Sequence, residues 1–109
     1  MQNQRLKQLQ EYLDKGSQDP FIRYAMATEY VNQGANEMAL THFTFLRNTH
    51  PDYLGTYYQM GKLLEHMDKK QAAIEVYEEG IQLAQRIGNL KTLGELRGAL
   101  QNLLIDEDE

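Results

Sequence analysis

The chain has 109 residues, a formal net charge of −5 and no cysteine. That length suits one domain, and the lack of thiols excludes disulfides and thiolate metal sites. The acidic balance repels phosphate backbones and anionic membrane surfaces, so nucleic acid and membrane are poor partners.

The opening Met1-Gln2-Asn3-Gln4-Arg5-Leu6-Lys7 lacks the apolar core of a signal peptide, and no later stretch approaches the ~20 apolar residues of a membrane span. A soluble cytoplasmic protein is the expectation. Val and Ile are scarce, while Leu, Ala, Gln, Glu, Met and Lys dominate. These are helix formers, and no segment alternates cleanly enough for a strand.

In chain order, the first helix is expected over 4–15. Leu6, Leu9, Tyr12 and Leu13 share a face there, and Gly16-Ser17 ends it. Asp19 then supplies an N-cap and Pro20 a first helical residue whose missing N–H costs nothing. Met26, Ala27 and Tyr30 continue one apolar face, and Gly34 stops the helix. A third helix begins near Asn36 with Met38, Ala39, Leu40, Phe43 and Leu46 turned inward. Pro51 closes it and restricts His50 before it.

Tyr57, Met60, Gly61 and Leu64 build the fourth helix, and Asp68-Lys69-Lys70 makes the turn. Ala73, Ile74, Tyr77 and Ile81 build the fifth, which ends at Gly88-Asn89. Leu90, Leu93, Leu96, Leu100, Leu103 and Leu104 form the stripe of a sixth. Gly94 and Gly98 lie inside it, each costing roughly 1 kcal/mol against Ala, and are expected to mark a close helix approach. The acidic residues Asp106-Glu107-Asp108-Glu109 read as a solvated, disordered tail.

A shift of 34 residues brings Pro20–Tyr53 onto Leu54–Ile87. Tyr24 meets Tyr58, Met26 meets Met60, Ala27 meets Gly61 and Tyr30 meets Leu64. Ala39 meets Ala73, Leu40 meets Ile74 and Phe43 meets Tyr77. That period belongs to helix-turn-helix units which bury their apolar faces by stacking on one another. The flanking helices complete the stack as halves or caps, as polar-faced end elements do.

These residues resemble the tetratricopeptide repeat family. Its recurring positions are Ala27, Tyr30, Gly34, Ala39, Phe43 and Pro51 in the first unit, and Gly61, Leu64, Asp68, Ala73 and Tyr77 in the second. The sequence departs from the family at Arg23, where an aromatic is usual, although Tyr57 fills the same place in the second unit. Gly80 replaces a small apolar residue, Gln85 stands where the closing proline would be, and the linker Arg86-Ile87-Gly88-Asn89 runs long. The resemblance implies an all-α, right-handed helix-turn-helix repeat stack of about six helices. One domain over 1–105 would hold a flanking helix 4–15, repeat one 20–53, repeat two 54–87 and a capping helix or half repeat 90–105, followed by the tail 106–109.

The resemblance also implies a protein-binding adaptor rather than an enzyme. Members hold a peptide or partner helix on a concave face lined by the first helix of each unit. Carried over, those positions are Phe21, Tyr24, Thr28, Val31 and Asn32 in the first unit, and Tyr58, Lys62, Glu65 and His66 in the second. Phe21 and Tyr24 have a second reading, as core residues packed on the N-terminal helix in place of the aromatic absent at Arg23. One subgroup clamps the carboxylate of chaperone tails with Lys and Asn; Tyr24, Thr28 and Gln59 stand at those places, which disfavours that target.

Catalysis needs a nucleophile and base in reach, or a metal. His42, His50 and His66 share no ligand spacing and read as surface or packing residues. The Glu75, Glu78, Glu79 group reads as a solvated face. Gly55 opens a helix without the strand or Gly-Lys-Ser of a phosphate loop. No cofactor, metal or catalytic residue is expected. The alternative function is a homodimer formed through the C-terminal helix or the groove, since symmetric dimers are the commonest oligomers.

Overall fold

Four of the chain's turns place a residue in the left-handed region just past a helix end, and this sets where the helices stop. The computed structural model describes residues 3–108, and the side chains of residues 3–105. Among the described residues there are six helices and no strand: α1 (Gln4–Asp14), α2 (Pro20–Asn32), α3 (Asn36–Thr49), α4 (Gly55–His66), α5 (Lys70–Ile87) and α6 (Leu90–Asp108). They divide into two compact units, residues 1–53 and 54–109.

In the first unit the Asn3 side chain caps α1 by accepting from the Leu6 N–H at 3.1 Å. Its amide also donates to Glu29 Oε2 at 3.0 Å, and Arg5 Nε lies 3.2 Å from Glu29 Oε1. One carboxylate on α2 thus fastens the start of α1. Beneath it Leu9, Ile22, Ala25 and Met26 form a buried cluster against which Leu6, Leu13 and Tyr30 pack. Asp19 caps α2 by accepting from the Phe21 N–H at 3.0 Å, with Pro20 at the first turn. Ala27 on α2 and Ala39, Phe43 and Leu46 on α3 are fully buried. Small residues on facing helices let the backbones approach while Phe43 fills the space between.

The turn after α2 uses Gly34 at φ +77°, and Ala35 N–H donates back to Tyr30 O at 2.9 Å. The matching turn after α4 has Asp68 at φ +60°, with Lys69 N–H donating to Leu64 O at 2.8 Å. Asp is among the few side chains that tolerate this region, because its Cβ penalty is offset by local hydrogen bonding. The 34-residue correspondence of Gly34 with Asp68 is therefore conformational as well as sequential.

The second unit pairs α4 with α5 and α5 with α6. Tyr57, Met60 and Leu64 of α4, Ala73, Val76, Tyr77, Leu83 and Ala84 of α5, and Leu93, Leu96, Ala99 and Leu103 of α6 are buried. Asn89 Oδ1 caps α6 by accepting from Thr92 N–H at 3.0 Å.

Several expectations need correction. Met38 is 47% exposed, because the buried stripe of α3 runs through Ala39, His42, Phe43 and Leu46 and leaves residue 38 on its flank. Tyr12 is likewise exposed at the edge of the Leu6, Leu9, Leu13 stripe, and Leu104 lies exposed beside Leu103. Leu90 is 78% exposed: with exposed Ile87 it sits at the α5–α6 tip, where the first turn of α6 has left the cover of the stripe. Gly94 and Gly98 do not mark a close approach, since a Cβ at either meets nothing within 4 Å. The close approaches are at Gly61 and Gly80. A Cβ on Gly61 would lie 2.2 Å from the Tyr77 ring, and one on Gly80 2.5 Å from Tyr57 Cβ. Finally, α6 continues to Asp108 instead of ending at residue 105, since no Gly or Pro follows Gly98 to break it. Glu109 lies outside the described residues.

Candidate partner-binding faces

The carried-over positions of the first unit lie on α2, and their environments differ. Phe21 is 47% and Val31 38% exposed, and Asn32 at the helix end is exposed as well. Both apolar side chains present substantial area to solvent on a helix whose opposite stripe is already buried. Phe21 also borders a cleft with Leu9 and Tyr12 of α1, so two exposed aromatics flank one depression. Tyr24 is half-buried. Its ring meets Phe43 edge-on at 6.3 Å and lies tilted 5.6 Å from Tyr53. Burial, with Tyr24 and Asp19 adding, pushes the Tyr53 phenol above its ordinary pKa. Thr28 is half-buried and turns its hydroxyl back to Ala25 O at 2.9 Å.

In the second unit Tyr58, Lys62, Glu65 and His66 lie along α4. Lys62 and His66 are exposed, and Tyr58 and Glu65 half-buried. Lys62 Nζ stands 5.8 Å from the Tyr58 ring centroid and 3.9 Å from Glu65 Oε2. The same Glu65 oxygen accepts a short hydrogen bond from the hydroxyl of Tyr77 on α5. Burial, reinforced by this carboxylate, raises the Tyr77 pKa far above the normal phenol value, so Tyr77 stays a donor. Glu65 is therefore held from both sides. The face it leaves to a partner is a cation over an aromatic ring, with His66 one turn along.

His42 and Arg23 were not among the expected site residues. His42 is buried and stacks on Tyr30 at 5.4 Å with the planes 11° apart. Arg23 Nη1 lies 3.2 Å from His42 Nδ1. Arginine can only donate, so Nδ1 is the acceptor and the imidazole is neutral there. Burial, then the Arg23 charge, lowers the His42 pKa below its ordinary value. The Arg23 guanidinium rests 4.1 Å above the Phe45 ring. A sequence signal for this group existed in Arg23, the polar occupant of a usually aromatic position. Its partners could not be read without knowing which α3 residues face it.

Among the described residues no cluster of three or more His, Asp or Glu side chains is placed to hold a metal ion. None of the described helices is long and apolar enough to cross a membrane.

Paired helices, repeated with matching turns and with a buried small residue and a buried aromatic at corresponding positions in each unit, define a helical-hairpin repeat protein. Two solved structures of a tetratricopeptide repeat domain protein from Salinibacter ruber match it closely. The solution structure is 43% identical, with 79% of this chain and 87% of that one covered and a TM-score of 0.76. The crystal structure is 44% identical, covering 78% of this chain and 96% of that one at a TM-score of 0.75. The chain belongs to the tetratricopeptide repeat family. A protein from Bordetella parapertussis shares the fold over 98% of this chain and 92% of its own, at 23% identity and a TM-score of 0.83. No family model matches the sequence, and no curated protein does.

Proposed function

We propose that the chain is a non-catalytic protein-interaction module, an adaptor that receives a peptide or partner helix on solvent-exposed positions of α4 or of α2, the helices to which the resemblance assigns the concave groove. Membership of the repeat family supports interaction as the general role. One observation carries the finer reading. On α4 an exposed cation, Lys62, stands over the half-buried ring of Tyr58, while the carboxylate beside them is engaged by Tyr77. Large, few-rotor aromatic surfaces with a polar tip are the usual anchors of protein interfaces. On α2, Phe21 and Val31 add exposed apolar area, with Tyr24, Thr28 and Asn32 beside them. The cytoplasm is the compartment proposed with this role.

The test is affinity capture with the wild type, Tyr58→Ala and Lys62→Glu, then titration calorimetry with a synthetic segment of the captured partner. The expected result is at least a tenfold loss of affinity in each variant, with helicity by circular dichroism unchanged. Equal affinity in all three would refute the assignment of this face.

A second reading is a homodimer through α6. Leu90, Leu104 and Ile105 are exposed on that helix, more apolar area than a capping element needs. Light scattering over a wide concentration range decides it, since a strict monomer removes the dimer.

A further inference from the structure

We infer that the first unit carries a receptor for a carboxylate borne on a small apolar body, in a cleft away from the faces proposed above. The cleft has a volume of about 390 Å³ and opens among the end of α1, the start of α2 and the end of α3. Pockets that take small ligands begin at about that size, on the order of 300 Å³. Leu13, Pro20 and Phe45 supply apolar wall, and Arg23, Asp19 and Thr49 supply polar groups.

Arg23 is the centre of the argument. It is half-buried, and among the described residues no carboxylate pairs with it. A neutral imidazole at 3.2 Å and the face of Phe45 at 4.1 Å hold the guanidinium in place without neutralising it. One of its five N–H donors is engaged by His42; the rest leave a planar fork, the geometry that grips a carboxylate through two parallel bonds. Because the fork is already oriented, little side-chain entropy is lost when an anion docks.

Asp19 sharpens the class. It sits four residues before Arg23, at the N-cap of α2, and lines the same cleft, yet the two do not form an ion pair. Asp19 instead accepts from the Phe21 N–H as the helix cap. Its negative charge on the cleft wall counts against every anion, and more against one carrying two charges than against one carrying a single charge. The chemistry selected is a monoanionic carboxylate with an aliphatic or aromatic body; phosphate and dicarboxylates are disfavoured. Such a group comes either from a free organic acid or from the C-terminal residue of a peptide.

The experiment is an NMR chemical-shift titration of the full chain with N-acetyl-L-leucine, with N-acetyl-L-leucinamide and with inorganic phosphate. Two further probes, acetyl-Gly-Gly-Leu and its amide, separate a chain terminus from a free acid. Shifts confined to Arg23, Phe45 and the Pro20 turn are expected with the acids. The amides and phosphate should bind at least tenfold more weakly. Tighter binding of the tripeptide acid assigns the site to chain ends; equal or weaker binding assigns it to free acids.

Arg23→Gln should abolish the acid's effect. Because Arg23 also holds His42, a second variant, Thr49→Trp, fills the cleft from its exposed rim and should block binding while the thermal midpoint stays near wild type. Tyr58→Ala should leave this titration unchanged, which separates it from the α4 face. Acid and amide binding alike, Arg23→Gln binding as wild type, or no shift at these residues would each overturn the proposal.

Discussion

Gly61 and Gly94 both lie inside helices, and replacing each by alanine should move stability in opposite directions. At Gly61 the new methyl would sit 2.2 Å from one carbon of the Tyr77 ring and 2.6 Å from two others. Ordinary contact begins near 3.4 Å, so ring or helix must move by about an ångström. Tyr77 cannot yield easily: it is fully buried, and its hydroxyl is bound to Glu65 on the same helix as Gly61. Overpacking of this kind costs about 3 kcal/mol at the upper end of its usual range. Alanine returns about 1 kcal/mol of helix propensity. The net loss is about 2 kcal/mol, a fall in Tm of roughly 10 °C for a chain of this size. At Gly94 nothing lies within 4 Å of the added Cβ. Only the propensity term remains, so Gly94→Ala should gain about 1 kcal/mol. Urea denaturation followed by circular dichroism measures both. A Gly61→Ala protein as stable as the wild type would refute the reasoning that the Tyr77 ring needs that bare backbone.

Tyr77→Phe removes a donor to a charged acceptor that is itself part-exposed and can regain water. A loss of about 1.5 kcal/mol is expected by urea titration, at the low end for bonds to charged groups. In an alkaline absorbance titration Tyr77 should ionise only as the fold is lost. His42 has a lowered pKa in the folded chain, so the unfolded chain binds the proton more readily. Its contribution to stability is full above the unfolded value of about 6.5 and is lost as pH falls through the lower folded value. Stability should therefore decline on acidification below pH 6.5, and His42→Gln should flatten that part of the profile. An imidazole titration by NMR with a midpoint at or above 6.5 would contradict this. Asp19→Ala deletes the cap on the Phe21 N–H and should cost about 1 kcal/mol in the same urea assay.

Periodicity made most of the helical frame legible. The cap at Asp19, the start at Asn36, the opening at Gly55 and the stop at Gly88 all follow from local chemistry that a few neighbouring residues determine. Errors arose where a residue's fate depends on a second helix. Met38 and Leu90 belong to apolar stripes on paper, yet one falls on the flank of the contact and the other at a hairpin tip. The glycines show the same limit. Gly94 and Gly98 stand out in sequence because they interrupt a leucine stripe, whereas Gly61 and Gly80 owe their bareness to rings contributed from a facing helix. At the binding faces, the sequence offered Tyr58, Lys62 and Glu65 as one group but not that Tyr77 holds the carboxylate.

The two departures at Arg23 and Gly80 have a common cause once facing positions are compared. In the second unit Tyr57 is buried, and Gly80 is bare because Tyr57 Cβ and Leu96 lie against it. Thirty-four residues earlier the same two positions are Arg23 and Leu46. Leu46 is fully buried and supplies on α3 the apolar volume that Tyr57 supplies on α4. A large residue on one helix thus stands with a small or outward-turning one on its neighbour, as close packing requires. The positions of Ala27 and Phe43, and of Gly61 and Tyr77, keep one order instead, small on the first helix and large on the second, with all four residues buried. In the first unit the exchange frees position 23 from the core, so its side chain can be charged, reach Phe45 and line the cleft. What looks like an imperfect repeat is a transfer of volume between helices, and it places a charge at a position the repeat normally fills with a ring.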